Sequence, residues 1–169
     1  MCGICGILER DPARPADEAR LRRMTDILRH RGPDGEGHHL DGPLALGHRR
    51  LSIIDLSNAG HQPMSTADGQ LWIILNGEIY NYKELRKELE ARGHVFRSHT
   101  DTEVLLHLYA DEGPACLKRL IGMFAFAVWD ARTRRLFLAR DHFGIKPLYY
   151  TVTGSTFAFA SEIKALVGE

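Results

Sequence analysis

Apolar side chains recur at helical spacing early in the chain. Within residues 17–32 they occur at Leu21, Met24, Ile27 and Leu28, so that members three or four positions apart recur. Side chains with this spacing fall on one face of a helix. The pattern predicts a surface helix that ends at Gly32-Pro33, since proline cannot continue a helix.

A second helical pattern follows Asn81. In NYKELRKELEARG, Leu85 and Leu89 share one face, and Gly93 stands where the C-terminus of a helix favours glycine. Asn81 is a favourable N-cap, and Glu84 three residues later completes a capping-box pattern. We therefore expect Asn81 to cap this helix with its side chain.

A third helix is predicted to begin near Thr100. Thr100 and Glu103 also have capping-box spacing, and the largely apolar run VLLHLYA follows them. The second and third helices thus lie together in the middle of the chain.

Most of the other patterned segments are typical of β-strands. Residues 44–55 and 71–80 are rich in β-forming side chains, and an Asp-Gly turn pair precedes each. From Met123 onward the segments MFAFAVW, LFLAR, PLYYTV and FAFAS are separated by charged or glycine-containing turns. MFAFAVW is apolar at successive positions, so both faces of its sheet should be covered. These patterns predict one α+β domain with largely antiparallel sheets.

Composition narrows the class of protein. The 169 residues are 44% hydrophobic and 26% charged, as in an ordinary globular domain, and 22 basic residues balance 22 acidic ones. The chain therefore has no net positive charge that would attract it to nucleic acid or to an anionic membrane. The longest strongly apolar run, residues 123–129, is too short to span a bilayer, and we expect a cytoplasmic protein. The three cysteines argue against a secreted disulfide framework.

Two of the cysteines, Cys2 and Cys5, have the spacing of a metal or redox pair. A structural zinc site needs four ligands, and the sequence offers no second paired motif to complete one. Residues three apart in a strand also point to opposite faces. We therefore predict no metal site, and interpret Cys5 as a small buried hydrophobic residue.

Cys2 has a different possible role, as a nucleophile. If Met1 is removed, Cys2 carries a free α-amine with a reference pKa of about 7.7–8.0. Such an amine can accept the thiol proton, directly or through a water molecule. Position alone is weak support, because Met-Cys at a start can also occur by chance.

The segment LNGEIYN at residues 75–81 offers a second chemical signal. Asn76-Gly77 after an apolar strand is most simply interpreted as a turn. An Asn side-chain amide and a Gly backbone N–H can instead converge on a developing oxyanion, and glycine lets a substrate approach the backbone. Both interpretations remain open from these residues alone.

Several further blocks occur in a fixed order along nearly the whole chain. They are MCGI at the start, HRGPDG (30–35), GHRRLSIID (47–55), LNGEIYNY (75–82), TDTEVLLHLY (100–109), GMFAFAVWD (122–130), LARDHFGIKPLYY (138–150) and FASEIKAL (159–166). Together they resemble the glutaminase domain of glutamine-dependent asparagine synthetases. This family belongs to the class II glutamine amidotransferases.

The resemblance implies a four-layer αββα sandwich of the N-terminal-nucleophile hydrolase type. It also implies that mature Cys2 attacks the side-chain amide of L-glutamine, with Asn76 and Gly77 as the oxyanion hole. Ammonia leaves, and water hydrolyses the γ-glutamyl thioester. No cofactor is implied for this reaction.

The resemblance also assigns the residues that hold the substrate. Arg50 is expected to bind the α-carboxylate, for which a bidentate guanidinium is well suited. Alternation along the strand should aim Arg49 to the opposite face, where we expect a solvated charge at the sheet edge. Asp101 is expected to receive the α-ammonium, although an Asp at a helix start is common without any ligand.

Two further assignments complete the predicted site. Glu78 should contribute to the amine pocket beside Asp101. By analogy, a short backbone segment should line the glutamine, formed by Leu51, Ser52, Ile53 and Ile54.

Two other blocks are interpreted as structural. We expect HRGPDG to form a turn after the first helix, with a loop over the site as the alternative. LARDHFGIKPLYY should form two strands joined at a buried Arg140-Asp141 corner that serves the fold. No histidine is needed as a base when the α-amine is available.

The sequence predicts a single domain over residues 1–169, without a synthetase domain. No phosphate-binding loop or pyrophosphatase motif is present for the ATP- and Mg²⁺-dependent step that the family performs in a second domain. The chain is therefore expected to be an excised domain or a separate glutaminase subunit, and its end just after FASEIKAL favours excision. The expected partner is a synthetase domain or subunit that receives ammonia, with a homodimer possible in the full-length protein.

Three alternatives remain open at this stage. The domain could serve an amidotransferase with another acceptor, or keep the fold as a non-catalytic binding or assembly module. It could also be an N-terminal-nucleophile acylase that acts on another amide, which competition by glutamine analogues would distinguish.

Overall fold

Two antiparallel sheets form the centre of the protein. A computed structural model of the chain describes residues 1–55 and 57–167. Its strands are β1 (Gly3–Glu9), β2 (Gly35–Asp41), β3 (Leu44–Arg50), β4 (Met64–Ser65), β5 (Leu71–Ile79), β6 (Gly122–Asp130), β7 (Arg135–Arg140), β8 (Tyr149–Thr153) and β9 (Thr156–Ala160). One sheet has the order β2-β3-β1-β9-β8, and the other has the order β4-β5-β6-β7.

Helices cover the outer faces of both sheets. The α-helices are α1 (Glu18–Ile27), α2 (Tyr82–Ala91), α3 (Asp101–Glu112) and α4 (Lys164–Val167). Short 3-10 segments occur at Arg29–Arg31, Asn58–Gly60 and Gly113–Arg119. No helix within residues 1–55 and 57–167 is both long and apolar enough to cross a membrane.

Three apolar clusters separate four layers. The cluster between α1 and the five-stranded sheet includes Cys5, Ile7, Leu21, Met24 and Ala45. The cluster between the two sheets includes Ile4, Leu46, Ile74, Trp129 and Phe159. The cluster between the four-stranded sheet and helices α2 and α3 includes Leu75, Leu85, Leu89, Leu105 and Phe126. The predicted α+β fold with αββα layers is confirmed, as are the buried environments of Cys5 and of MFAFAVW.

The first helix ends earlier than predicted. It closes at Ile27 with Leu28 as its C-cap, and Arg29–Arg31 continue as a 3-10 turn. Gly32 then crosses close to β3, where a Cβ atom would overlap the backbone of Arg49. The α-helix thus ends before Gly32-Pro33, and Gly32 is required by its close contact with β3.

The predicted side-chain cap at Asn81 is wrong. Asn81 stands at the N-cap position of α2, but its side chain makes no capping hydrogen bond. Its amide instead donates to the carbonyl of Arg119 at 2.9 Å and accepts from the N–H of Ile121 at 3.0 Å. Asn81 thus joins the start of α2 to the segment before β6.

At the third helix, only one of the two hydrogen bonds of the predicted capping box is present. Thr100 Oγ1 accepts from the N–H of Glu103 at 3.2 Å, as a capping box requires. The Glu103 carboxylate does not return to Thr100, because it accepts from the N–H groups of Arg97 and Ser98 at 2.9 and 2.7 Å. Glu103 therefore orders the loop that leads into α3.

Arg49 is not the solvated charge that we predicted. Its side chain is only 9% exposed and lies under α1, where it pairs with Asp26 and Glu36, both at 2.5 Å. It also donates to the carbonyl of Thr25 at 3.0 Å. Alternation correctly aims Arg49 away from Arg50, but that face is covered by a helix.

The predicted Arg140-Asp141 corner is buried only at Asp141, since Arg140 is exposed. The Asp141 carboxylate accepts from four backbone N–H groups, those of Phe124, Phe143, Ile145 and Lys146. These bonds attach the connection between β7 and β8 to β6. The aspartate alone provides the structural corner.

Candidate active site

A cavity of about 510 Å³ opens at one end of the sandwich. All ten residues that the sequence analysis proposed as site residues line it: Cys2, Arg50, Leu51, Ser52, Ile53, Ile54, Asn76, Gly77, Glu78 and Asp101. They come from both sheets and from the start of α3. The structure therefore brings together groups that lie as much as 99 positions apart in the sequence.

Cys2 is held immediately before β1 by backbone and side-chain contacts. Its Sγ atom accepts from the Leu51 N–H at 3.4 Å and lies 3.7 Å from the Leu51 carbonyl oxygen. Arg31 Nε donates to the Cys2 carbonyl at 2.9 Å, and Arg31 is itself paired with Glu162 at 2.9 Å. Burial raises the pKa of the Cys2 thiol, so the thiol needs a base before it can act as a nucleophile.

Asn76 presents an unpaired amide in this cavity. The residue is 0% exposed, and neither Oδ1 nor Nδ2 has a hydrogen-bond partner among the described residues. A buried polar group without a partner costs about 1–3 kcal/mol. An amide left in this state is therefore available to a ligand that supplies the missing hydrogen bond.

Gly77 lies within β5, so the Asn-Gly pair is not a turn. It stands opposite Phe124 in β6. Phe124 directs its own N–H and carbonyl to Asp141 on the far side, at 3.2 and 2.8 Å. In an antiparallel ladder this makes Gly77 and Phe124 a non-hydrogen-bonded pair, whose N–H groups point away from each other. The Gly77 N–H therefore points outward from the β5 edge.

The outward N–H groups on either side of Gly77 along this edge are both occupied. Leu75 N–H donates to Gln62 Oε1 at 2.6 Å, and Ile79 N–H donates to Asp101 Oδ2 at 2.9 Å. Gly77 lies between them and lines the cavity. Its N–H and the Asn76 amide are thus two donors at one site.

The need for glycine at position 77 comes from the protein itself. A Cβ atom there would overlap the Met123 carbonyl oxygen and the Phe124 Cα in the adjacent strand. Our prediction gave substrate approach as the reason for glycine. In the structure, the close approach of β6 already excludes a side chain.

Arg50 enters the cavity from the end of β3. Its Nη1 donates to the Ser57 carbonyl at 2.8 Å, and its Nη2 donates to the Asp55 carbonyl. A Cβ at Gly60 would overlap the guanidinium, so glycine lets the loop lie against it. A guanidinium has five N–H donors, and the remaining ones can serve a carboxylate.

Asp101 supplies a carboxylate on the opposite side, at the first residue of α3. Burial raises its pKa to about 6, against the hydrogen bond from Ile79, and nearby Glu78 raises it further. A buried carboxylate of this kind is stabilised in its charged form by a cation. The ammonium group of an amino acid would provide one.

The HRGPDG block supports the wall of the cavity. Asp34 Oδ2 accepts from the Ser52 N–H at 2.8 Å, and Arg31 holds Cys2 as described above. Residues 51–55 have left the sheet at this point, whereas the sequence predicted that the strand would continue to residue 55. The block is therefore a turn, as predicted, and it also supports the site.

Sequence reasoning missed several residues that line the cavity. Gln62 and Thr102 are two of them. Ile145 and Lys146 are two more, and they belong to the LARDHFGIKPLYY block that we assigned to the fold alone. Gln62 stands between His61 and Pro63 in a segment without helical or strand periodicity. Its buried position depends on tertiary contacts that such a segment does not reveal.

His48 is poorly suited to act as the base. Burial lowers the pKa of His48 to about 3, which keeps its ring neutral, and His48 Nε2 lies 3.2 Å from the Leu75 carbonyl. Because a carbonyl only accepts, Nε2 carries the proton. Within residues 1–55 and 57–167, no group of three or more His, Cys, Asp or Glu side chains is arranged to hold a metal ion.

Known proteins of similar sequence share this domain. Residues 1–169 match the family model described as "Glutamine amidotransferase domain". Asparagine synthetase [glutamine-hydrolyzing] 1 of Bacillus subtilis (strain 168) is 49% identical over 169 residues, which are 99% of this chain and 27% of that protein. Asparagine synthetase [glutamine-hydrolyzing] 3 of the same organism is 47% identical over 99% of this chain and 27% of its own length. The chain thus spans about a quarter of the curated relatives that it matches.

A solved structure shares the fold. The glutamine phosphoribosylpyrophosphate amidotransferase from B. subtilis, complexed with ADP and GMP, has a TM-score of 0.83 and 25% sequence identity. The match covers 98% of this chain and 43% of that one.

Proposed function

Because the chain belongs to the glutamine amidotransferase domain family, we propose that it hydrolyses the side-chain amide of L-glutamine at Cys2 and releases ammonia. One observation carries this proposal: the unpaired Asn76 amide and the outward Gly77 N–H line the same cavity as the Cys2 thiol. Two such donors suit the oxyanion of a tetrahedral intermediate.

The base is the α-amine that removal of Met1 would expose on Cys2. The amine accepts the thiol proton, and the sulfur attacks the amide carbon of glutamine to form a tetrahedral oxyanion. Collapse of this intermediate breaks the C–N bond, and the amine returns its proton to the leaving ammonia. Water then attacks the thioester carbon, which restores the thiol and yields glutamate.

Recognition of a free amino acid is assigned to two charged side chains. Arg50 receives the α-carboxylate through the N–H groups that the loop carbonyls do not use. Asp101, with Glu78 beside it, receives the α-ammonium. The segment Leu51–Ile54 forms the wall along the substrate, where its backbone supplies further contacts.

The ammonia serves an amidation performed outside this chain. By analogy with the asparagine synthetases that it resembles, we propose that the acceptor is aspartate, activated with ATP and Mg²⁺ by a synthetase domain or subunit. The chemistry at Cys2 itself requires no cofactor.

The proposal is tested by measuring the intact mass of the purified chain before and after exposure to a chloroketone analogue of L-glutamine. We expect loss of Met1 and a single adduct, which peptide mapping locates on Cys2. Cys2→Ala should take up no label and release no glutamate while it keeps its fold by circular dichroism. Retained Met1, or labelling of Cys5 or Cys116 instead, would contradict the proposal and favour a non-catalytic module.

A further inference from the structure

The β5 strand loses its neighbouring strand just before it reaches the site. β4 pairs only Met64 with Ile73 and Ser65 with Trp72. From Leu75 onward the outer edge of β5 therefore depends on side chains for its hydrogen bonds. This edge carries the Gly77 N–H, so the groups that hold it determine where an oxyanion donor points.

Gln62 is the side chain that replaces the missing strand at Leu75. It is 6% exposed, and its Oε1 accepts from the Leu75 N–H at 2.6 Å. Its Nε2 donates to Thr102 Oγ1 at 3.1 Å. Thr102 is 3% exposed and directly follows Asp101 in α3. One amide thus joins the strand of the oxyanion donors to the helix of the amine-binding carboxylate.

The carbonyl of Leu75 is fixed as well. His48 Nε2 donates to it from β3, across the gap between the two sheets. His48 stands opposite Ile4 of β1, the strand that begins just after Cys2. Leu75 is therefore held at both of its backbone polar groups, at the N–H by Gln62, which is bonded to α3, and at the carbonyl by His48 of the five-stranded sheet.

We propose that Gln62 is a positioning residue for the oxyanion hole, which acts by fixing Leu75 and, through it, the orientation of Asn76 and Gly77. This inference rests on the proposed glutaminase function and adds a residue to it. The side-chain amide of Gln62 is hydrogen-bonded to Leu75 and Thr102, and Gln62 acts through these two residues. It takes no part in proton transfer. Loss of the amide should therefore slow the chemical step and leave the nucleophile and substrate affinity largely unchanged.

The first test is Gln62→Met, which keeps the length of the side chain and removes both hydrogen bonds. Complete loss of an oxyanion donor costs about 100- to 1000-fold in kcat, so a misaligned pair of donors should cost about 10- to 100-fold. KM for glutamine should stay within about threefold, because Arg50 and Asp101 remain. The rate of Cys2 alkylation by iodoacetamide, which needs no oxyanion stabilisation, should stay within about twofold.

Gln70→Met is the matched control. Gln70 lies just before the same strand, and its side-chain amide makes one exposed bond, to the Asp68 carbonyl at 3.4 Å. This variant should retain wild-type kcat. An unchanged kcat in Gln62→Met, or an alkylation rate that falls in parallel with kcat, would overturn the proposal.

A second pair of variants tests the bridge without changing Gln62. Thr102→Val removes the hydroxyl that receives Gln62 Nε2, and Thr102→Ser keeps it. We expect kcat to fall about 3- to 10-fold in Thr102→Val and to recover in Thr102→Ser. Equal kcat in the two variants would overturn the proposal even if Gln62→Met failed to fold.

Failure of the proposed function would look different. In that case the unmodified chain would release no glutamate and Cys2 would not react with the glutamine analogue. If instead the unmodified chain is active and Gln62→Met equals it, only the role of Gln62 is rejected.

Discussion

The backbone N–H of Ile79 donates to Asp101 Oδ2 over 2.9 Å and ties the start of α3 to β5. Two residues earlier in the same strand lies Gly77, whose N–H is the proposed oxyanion donor. The carboxylate for the substrate's ammonium and the donor for its reacting carbonyl are thus attached to one strand. A change at Asp101 should therefore affect both substrate binding and the stability of this attachment.

Binding of glutamine should weaken at acid pH. The pKa of Asp101 is about 6, so its carboxylate is protonated below that pH and loses its attraction for an ammonium group. The Cys2→Ala variant isolates this effect, because binding is measured without turnover. Calorimetry should show the Kd for L-glutamine rising about fivefold from pH 6 to pH 5. An affinity that stays constant over this range would remove Asp101 from the amine pocket.

Asp101→Asn should stabilise the fold at neutral pH while it impairs binding. Because burial raises the pKa from 3.8 to about 6, the folded protein binds more protons than the unfolded chain between these values. Stability therefore falls as the pH rises through this window, and the penalty is complete above it. Asn keeps an oxygen for Ile79 and removes the charge.

Urea unfolding should accordingly show a gain of about 1–3 kcal/mol for Asp101→Asn at pH 8, which shrinks towards zero near pH 4. An equal gain at both pH values would show that the charge of Asp101 is not the cause. The same variant should raise KM for glutamine at pH 8, which separates its effect on function from its effect on stability.

The adjacent arginines Arg49 and Arg50 should give opposite results. Arg49→Leu removes the cation that pairs with Asp26 and Glu36, and it should lower the free energy of unfolding by about 1–3 kcal/mol. Arg50→Leu should chiefly raise KM for glutamine, by about 10- to 100-fold, because the carboxylate loses a bidentate partner. Chemical denaturation and steady-state kinetics on both variants check the contrast. A raised KM in Arg49→Leu with unchanged stability would reverse the assignment.

Two asparagines provide another contrast. Asn76→Ala should lower kcat about 100- to 1000-fold without lowering the unfolding midpoint, because the buried Asn76 amide has no hydrogen-bond partner among the described residues. Asn81→Ala should spare kcat and cost about 1–2 kcal/mol of stability, since it breaks the bonds to Arg119 and Ile121. Loss of kcat in Asn81→Ala at full stability would contradict this division.

The placement of Arg50, Cys2 and Asn76 in the structure shows what a sequence can predict. The face occupied by Arg50 follows from strand alternation, and the chemistry available to Cys2 and Asn76 follows from their functional groups and neighbours. Each of these predictions needs only local geometry or intrinsic reactivity. The resemblance of the whole chain to a family supplied the substrate-binding roles, which stay predictions until they are measured.

The errors have a common physical cause. Arg49 and Asn81 were assigned from their immediate sequence, but their partners belong to segments up to 40 positions away. Gln62 was missed for the same reason, because its two partners are on a strand and a helix that follow it. The partners of these three side chains lie in other elements of the fold, which local patterns do not show.

In the four-layer arrangement, the site residues are divided between the two sheets and the elements attached to them. Cys2 directly precedes β1 and Arg50 ends β3, both strands of the five-stranded sheet, whereas Asn76 lies in β5 of the four-stranded sheet and Asp101 in α3. Any sliding of one sheet over the other would move the nucleophile relative to the oxyanion donors. The interdigitated side chains between the sheets, such as Ile74 and Phe159, resist this shear. The apolar core between the sheets therefore fixes the distance between the Cys2 thiol and the oxyanion donors.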